Sequence, residues 1–581
     1  MVLSAGFHSR LGPGSIFTSF VLCSLLAIFA ALGVFAVLPD RLLRGAAVWR
    51  AEIMGGLWAL SGVLAIVGAA CKLEGELSWF PVFGLDGPAL PMLVLLAFAG
   101  GVAGSGAAAL ACVFVGVGFL ALSPLVFGLL TGTALVLLAA GGWRSVCLPF
   151  AVLPACIPAD SPFCVPLLCL TVLLMGWAVS VQKGPTAVLP GMVGLFLLGR
   201  LLAEVGELSV LPQVMLVASG CLVAATGTLQ AMRDKGLARI ASGLCAAWYG
   251  ILVVAVALAL VSSFGGMETF RMAIILGMGA PMLALIGLLW LAQWQQAEPK
   301  RRIASLSGHV LVAGLLMLFS IMPPFGGFAV LWSLLVGAYD AIAVAQPVGA
   351  LTIMLLLTLL GSIMVLMGAG LLRAGAALLF PSTIFQPHQA PVAAEFVWPS
   401  WICAGAALLL VLLPGVWLSL ADHLVVGPVV PPLKWNRIAT IWLEGGGASF
   451  TPVFTLLALG AALAAAALLV RLLGFLPFGR VIKPVPVWRQ GAPIIQPAEG
   501  HTVSYEGAAP LWPACMALFG LAAETRKDRR LARRGRVALR YGRRWLFRGA
   551  EWCETQGLVL ILLLLELIVL YGFRHLAGPA R

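Results

Sequence analysis

Charge is what this sequence has least of. Asp, Glu, Lys and Arg make up 10% of its 581 residues, against 62% apolar residues and a mean hydropathy of +1.08. So little charge cannot coat a water-facing surface, which excludes a string of soluble domains. Paired cysteines are missing as well. The 12 cysteines are scattered, mostly inside apolar runs (Cys23, Cys112, Cys169, Cys221, Cys245, Cys403), and no C-x-x-C occurs. Cys164 and Cys169 have neither zinc-ligand nor redox spacing, so the cysteines read as small buried hydrophobes. Iron–sulfur and haem sites are therefore not expected in this chain. Nothing resembles a nucleotide loop, a metal-ligand cluster or a nucleophile triad. No cofactor and no redox chemistry of its own are expected.

What is present is long apolar runs. They recur at about 20 residues, the length that crosses a hydrocarbon core of about 30 Å as a helix. They do not alternate as the strands of a closed barrel would. The runs place spans at about 15–38, 51–71, 88–104, 106–122, 124–141, 163–181, 187–203, 211–231, 240–262, 271–294, 309–322, 326–345, 348–380, 399–421, 452–476 and 556–575. The fold class is an all-α polytopic membrane protein of about 15 or 16 transmembrane helices. With no small-residue cleavage site after Arg10, the first helix is expected to be retained.

Loop charge sets sidedness. Arg41, Arg44 and Arg50 put the first loop in the cytoplasm, and Glu74, Glu76 and Asp86 put the next one outside. The basic loops around 233–239 and 300–302 should again be cytoplasmic. Counting spans does not bring the first of these to that face, so a crossing is missing or miscounted between Trp143 and Ala231. The Pro-interrupted stretch 147–158 is too short to span, and as a half-helix it would restore the parity. Eleven basic residues fall within 526–548, inside the polar connector 477–548. Between apolar helices they read as a cytoplasmic segment facing anionic lipid headgroups, not as a nucleic-acid site.

Four local patterns occur in a telling order. They are FGLDGPALPMLVLL (83–96), MRDKGLARIASGLCAAWYG (232–250), IMPPFGGFAVLWSLL (321–335), and LLRAGAALLF followed by APVAAEFVWP (371–380, 390–399). Together they resemble the proton-pumping antiporter-like subunits of respiratory complex I, of Mrp-type antiporters and of membrane-bound hydrogenases. VPVWRQGAP (485–493) and HTVSYEGAAPLWP (501–513) resemble the large membrane subunit of formate-hydrogenlyase-type hydrogenases. The resemblance implies an antiporter-like fold with inverted repeats and a broken helix in the second repeat, at 373–381. On that reading 1–82 holds N-terminal helices, 83–300 a degenerate first repeat and 301–421 the second. An additional helix at 422–476, a polar, basic connector at 477–555 and a last helix at 556–581 complete the chain.

The resemblance also implies where protons would move. The family carries a Glu on its fifth helix and Lys residues on the seventh, eighth and twelfth. Here Thr131 and Gly132 replace the Glu, and no carboxylate lies between Asp86 and Asp160. Near the eighth-helix Lys there is only Arg200, and the twelfth-helix Lys is matched by Arg373. The plain reading of Arg200, Glu204 and Glu207 is a snorkelling helix end. An Arg cannot release its proton near neutral pH, so Arg373 cannot be a relay. Lys235 in the basic loop and Glu395 in the A-x-E element are further candidates, for a proton path or for structure. Pro323, Pro324, Gly326, Gly327 and Pro381 are the expected helix breakers.

Three functions stay open. The first is a multi-pass inner-membrane subunit of a hydrogenase-like or complex-I-like oxidoreductase, with electron transfer in iron–sulfur partner subunits. The second is a degenerate scaffold subunit that conducts no protons. The third is a stand-alone cation/proton antiporter, against which the lack of a polar cluster in the helices counts.

Overall fold

The computed structural model describes residues 16–37, 47–77, 80–86, 88–103, 106–138, 148–156, 161, 163–182, 184–205, 210–234, 236–259, 267–297, 306–321, 325–344, 347–379, 398–422, 441–442, 449–452 and 465. The helices are α1 (Ile16–Val37), α2 (Ala47–Ala70), α3 (Ala89–Ala103), α4 (Ala107–Phe119), α5 (Pro124–Leu138), α6 (Cys164–Val181), α7 (Val188–Val205) and α8 (Val210–Arg233). They continue with α9 (Leu237–Ala259), α10 (Met267–Met278), α11 (Ala280–Ala297), α12 (Leu306–Phe319), α13 (Gly326–Val344), α14 (Pro347–Leu379), α15 (Trp398–Leu412) and α16 (Pro414–Leu420). Two short antiparallel pairs join β1 (Gly75–Leu77) to β2 (Phe80–Leu85) and β3 (Ile441–Trp442) to β4 (Ser449–Phe450).

Among the described residues seven spans are long and apolar enough to cross a membrane, or eight if the bent pair α15–α16 is one span. Shorter apolar helices account for most other expected spans; those at 452–476, apart from residues 452 and 465, and at 556–575 lie outside the described residues. The stretch expected to be a half-helix is a 3-10 helix, Leu148–Cys156, with Pro154 inside. At about 2 Å per residue its nine residues reach roughly 18 Å, short of a crossing.

The helices are apolar all round, as lipid-facing or deeply buried helices must be. Position sorts them. Every residue of α9 except Arg239 is buried, and so are residues 272–289 of α10 and α11. At the rim, α14 is the least buried of the seven spans, with Leu351, Leu355, Val365 and Leu372 exposed.

The tightest joint is α8 against α9. Small residues set it, because association in lipid depends on close backbone approach. A Cβ on Gly227 would sit 2.7 Å from the Gly243 carbonyl oxygen, and one on Gly250 would sit 2.6 Å from that of Gly220. Both pairs recur seven residues apart on each helix, so one antiparallel face meets backbone to backbone. Gln230 and Ser242 close the end of this seam: the Gln230 amide donates to the Ser180 carbonyl (2.8 Å) and the Ser242 hydroxyl to the same oxygen (3.1 Å).

Two helix breaks shape the C-terminal half. The span expected at 271–294 is present as one span, with an interruption at Gly279 that divides it into α10 and α11. Next, α15 and α16 meet at 95° around Leu413, where Pro414 cannot continue the ladder. By contrast α14 runs unbroken from Pro347 to Leu379, so the break expected at 373–381 does not begin at Arg373. Gly368 and Gly370 precede Arg373 without interrupting the helix, no proline interrupts it, and Phe380 and Pro381 lie outside the described residues. At about 1.5 Å per residue its 33 residues reach roughly 50 Å, longer than the hydrocarbon core.

Candidate functional site

Ionisable side chains inside a bilayer are expensive and mark function or a fixed pairing. Among the described residues the buried charged side chains are Arg50, Arg200, Arg373 and Asp422. The three arginines share one habit: each donates to a backbone carbonyl of another segment. Arg50 and Arg373 reach the carbonyl end of a helix, where the last C=O groups lack intrahelical partners and the dipole is negative, and Arg200 reaches a carbonyl just past the end of α4.

Arg50 on α2 donates from Nη2 to the Ala36 carbonyl (3.0 Å), at the end of α1. Arg373 donates from Nη1 to the carbonyls of Ala231 (3.1 Å) and Met232, in the last turn of α8. Its side chain is 4% exposed. Gly370, one turn earlier on α14, brings the helices close enough for this: a Cβ there would stand 3.1 Å from that of Ala231. Arg373 thus clamps α14 onto the α8–α9 seam.

Arg200 corrects the sequence reading. It does not snorkel: it is 8% exposed and sits in the fold's interior. Its Nε (3.1 Å) and Nη2 (2.9 Å) both donate to Oδ2 of Asp86, and Nη1 donates to the Ala121 carbonyl (2.8 Å). The guanidinium carbon stands 4.7 Å from the centre of the Phe196 ring, one turn back on α7, a cation–π contact. Asp86 is placed by the β1–β2 hairpin. β2 extends onto the strand-like residues after α4, with Gly84 N–H donating to Leu120 (2.9 Å) and Leu122 N–H to Val82 (2.8 Å). The hairpin, the end of α4 and α7 are therefore tied at one ionic node. The sequence reading used Asp86 only as a loop charge; its place in the L-D-G pattern was the available signal.

The residues that the resemblance set against a fifth-helix Glu include Thr131. Thr131 is fully buried and its hydroxyl donates back to the Phe127 carbonyl (2.6 Å), a local bond along its own helix. Gly326 and Gly327 start α13 where the chain doubles back: a Cβ on Gly327 would lie 2.4 Å from the Phe319 carbonyl oxygen. Lys235, Glu395, Pro323, Pro324 and Pro381 lie outside the described residues, as does the side chain of Glu204. Cys112, Cys164, Cys169, Cys221, Cys245 and Cys403 are buried.

No protein-family model and no curated protein sequence matches this chain. Solved structures do. A chain of the membrane-bound sulfane sulfur reductase, an archaeal respiratory membrane complex, is similar with a TM-score of 0.63 at 14% identity, over 94% of this chain and 99% of that one. A chain of respiratory complex I from Thermus thermophilus gives 0.52 at 16% identity, over 70% and 98%. A chain of the Mrp complex from Dietzia sp. DQ12-45-1b gives 0.53 at 16% identity, over 73% of this chain; the match spans 54% of that longer chain. The class is thereby defined: a multi-pass helical membrane protein. Its fold is the antiporter-like fold shared by membrane chains of these complexes.

Proposed function

We propose that this chain is a non-catalytic membrane-arm subunit of a hydrogenase-like or complex-I-like oxidoreductase in the inner membrane, and that its own side chains carry no protons. Electron transfer then resides in iron–sulfur partner subunits, and the basic 526–548 segment faces anionic lipids on the cytoplasmic side. The observation that carries the reading is the chemistry of the buried charges. A proton relay needs groups that gain and lose protons near neutral pH. Of the four buried charged side chains among the described residues, three are arginines, which keep their charge and are each held by carbonyls or a carboxylate; the fourth is Asp422, just past the end of α16. A fixed positive charge in the path also repels protons.

The membrane-subunit role is tested by purifying the tagged chain from its native membranes in mild detergent. Co-elution in fixed stoichiometry with subunits carrying iron–sulfur absorbance and an iron–sulfur EPR signal is the expected result. A monodisperse chain without iron, active alone in cation/proton exchange, would instead establish the antiporter reading.

A further inference from the structure

The break between α10 and α11 takes the i+4 backbone donors from two carbonyls deep in the fold, and the chain supplies donors from elsewhere. In a continuous helix the Gly277 carbonyl would accept from residue 281, but Pro281 has no N–H. The Ile275 carbonyl would accept from Gly279, but that N–H turns to Leu276 instead (3.1 Å). Both orphaned oxygens meet an indole. Trp248 Nε1 of α9 donates to Gly277 (3.0 Å), and Trp417 Nε1 of α16 donates to Ile275 (2.7 Å).

The surroundings are built for those two rings. Trp248 is fully buried, with Phe319 edge-on at 5.2 Å between ring centres. Gly279 makes room for Trp417: a Cβ there would stand 2.7 Å from the indole nitrogen. Trp417 also walls a small apolar cleft, lined further by Leu276, Ala280, Phe325, Leu410 and Pro414. The cleft runs up to the break, and the bent α15–α16 element and the start of α13 meet there.

Opened carbonyls at a helix break within a bilayer are a place where water, and with it a proton or a monovalent cation, is stabilised. We propose that the Gly279 break is such a cation-receptive joint held shut, with Trp248 and Trp417 as hydrogen-bonding plugs in place of water. A bulky donor that satisfies the carbonyl and excludes solvent keeps the joint dry. The inference goes beyond the subunit role and stands apart from it, because it concerns passive permeability without turnover.

The test is passive ion leak through the full chain, purified with its co-eluting subunits and reconstituted in liposomes, under imposed proton and sodium gradients without electron donor. Trp248→Phe and Trp417→Phe keep an aromatic ring but remove the donor. Each should raise leak several-fold, with the proton and sodium arms identifying what enters. Pro281→Ala restores an N–H whose i−4 carbonyl is Gly277, so it should suppress the Trp248→Phe leak and leave the Trp417→Phe leak in place. Unchanged leak in both Phe variants would overturn the proposal. So would equal suppression of both by Pro281→Ala, which would mean the rings act by packing alone. Should Trp248→Phe fail to assemble, the Pro281→Ala, Trp248→Phe double variant must assemble; its failure also overturns the proposal.

Discussion

The Asp86–Arg200 node carries the sharpest stability prediction. Replacing Arg200 by Leu removes two donations to Asp86, one to the Ala121 carbonyl and the contact with Phe196. What remains is a carboxylate with its partner gone, its side chain 20% exposed. Removing one partner of a buried pair costs about 3–5 kcal/mol, mostly for the charge left behind. Partial exposure of Asp86 lowers this to roughly 2–4 kcal/mol. The double replacement Arg200→Leu, Asp86→Leu leaves no stranded charge, so it should recover much of the loss, since buried pairs are often matched by apolar residues of similar volume. The assay is thermal unfolding in detergent, followed by the fraction of chain assembled into its complex. A single variant within about 0.5 kcal/mol of wild type, the range of an ordinary surface substitution, would refute the reasoning. A double variant worse than the single would refute it too.

Gly227→Ala and Gly250→Ala place a Cβ within 2.5 Å of the Ala247 and Ala224 backbone nitrogens, so α8 and α9 must part; each should cost about 1–3 kcal/mol, read as a lower unfolding temperature. Gly132→Ala is the contrast: its Cβ would meet Val152 and Pro149 at 3.5 and 3.8 Å, ordinary contacts, and unfolding should be unchanged. Arg373→Lys should assemble almost normally while Arg373→Ala lowers the assembled fraction, measured by native gel, because the carbonyls of Ala231 and Met232 lose their donor. A cysteine introduced at Arg534 should react with impermeant thiol reagent only from the cytoplasmic side, as the basic segment requires.

Most helices could be read from composition alone, because an uncharged run of about 20 residues has few other fates. The breaks could be read only in part. Pro323–Gly327 announced the start of α13, but Gly277, Gly279 and Pro281 were passed over inside an apolar run that looked continuous. Pro414 was passed over in the same way. Arg373 was the expected start of a break at 373–381, yet α14 continues through it to Leu379, held by good helix formers on both sides. The site was less legible. Arg200 and Asp86 lie 114 residues apart, and no periodicity links a loop carboxylate to a helix Arg. Only the chain's path through the β1–β2 hairpin brings them together.

The central claim is that this chain holds a membrane arm together without moving protons through its own charges. The most direct measurement is protons translocated per electron by the assembled complex in liposomes, wild type against Arg373→Ala, normalised to assembled complex. The account predicts fewer assembled complexes but the same ratio in those that form. A fully assembled Arg373→Ala complex that still transfers electrons but no longer translocates protons would contradict it.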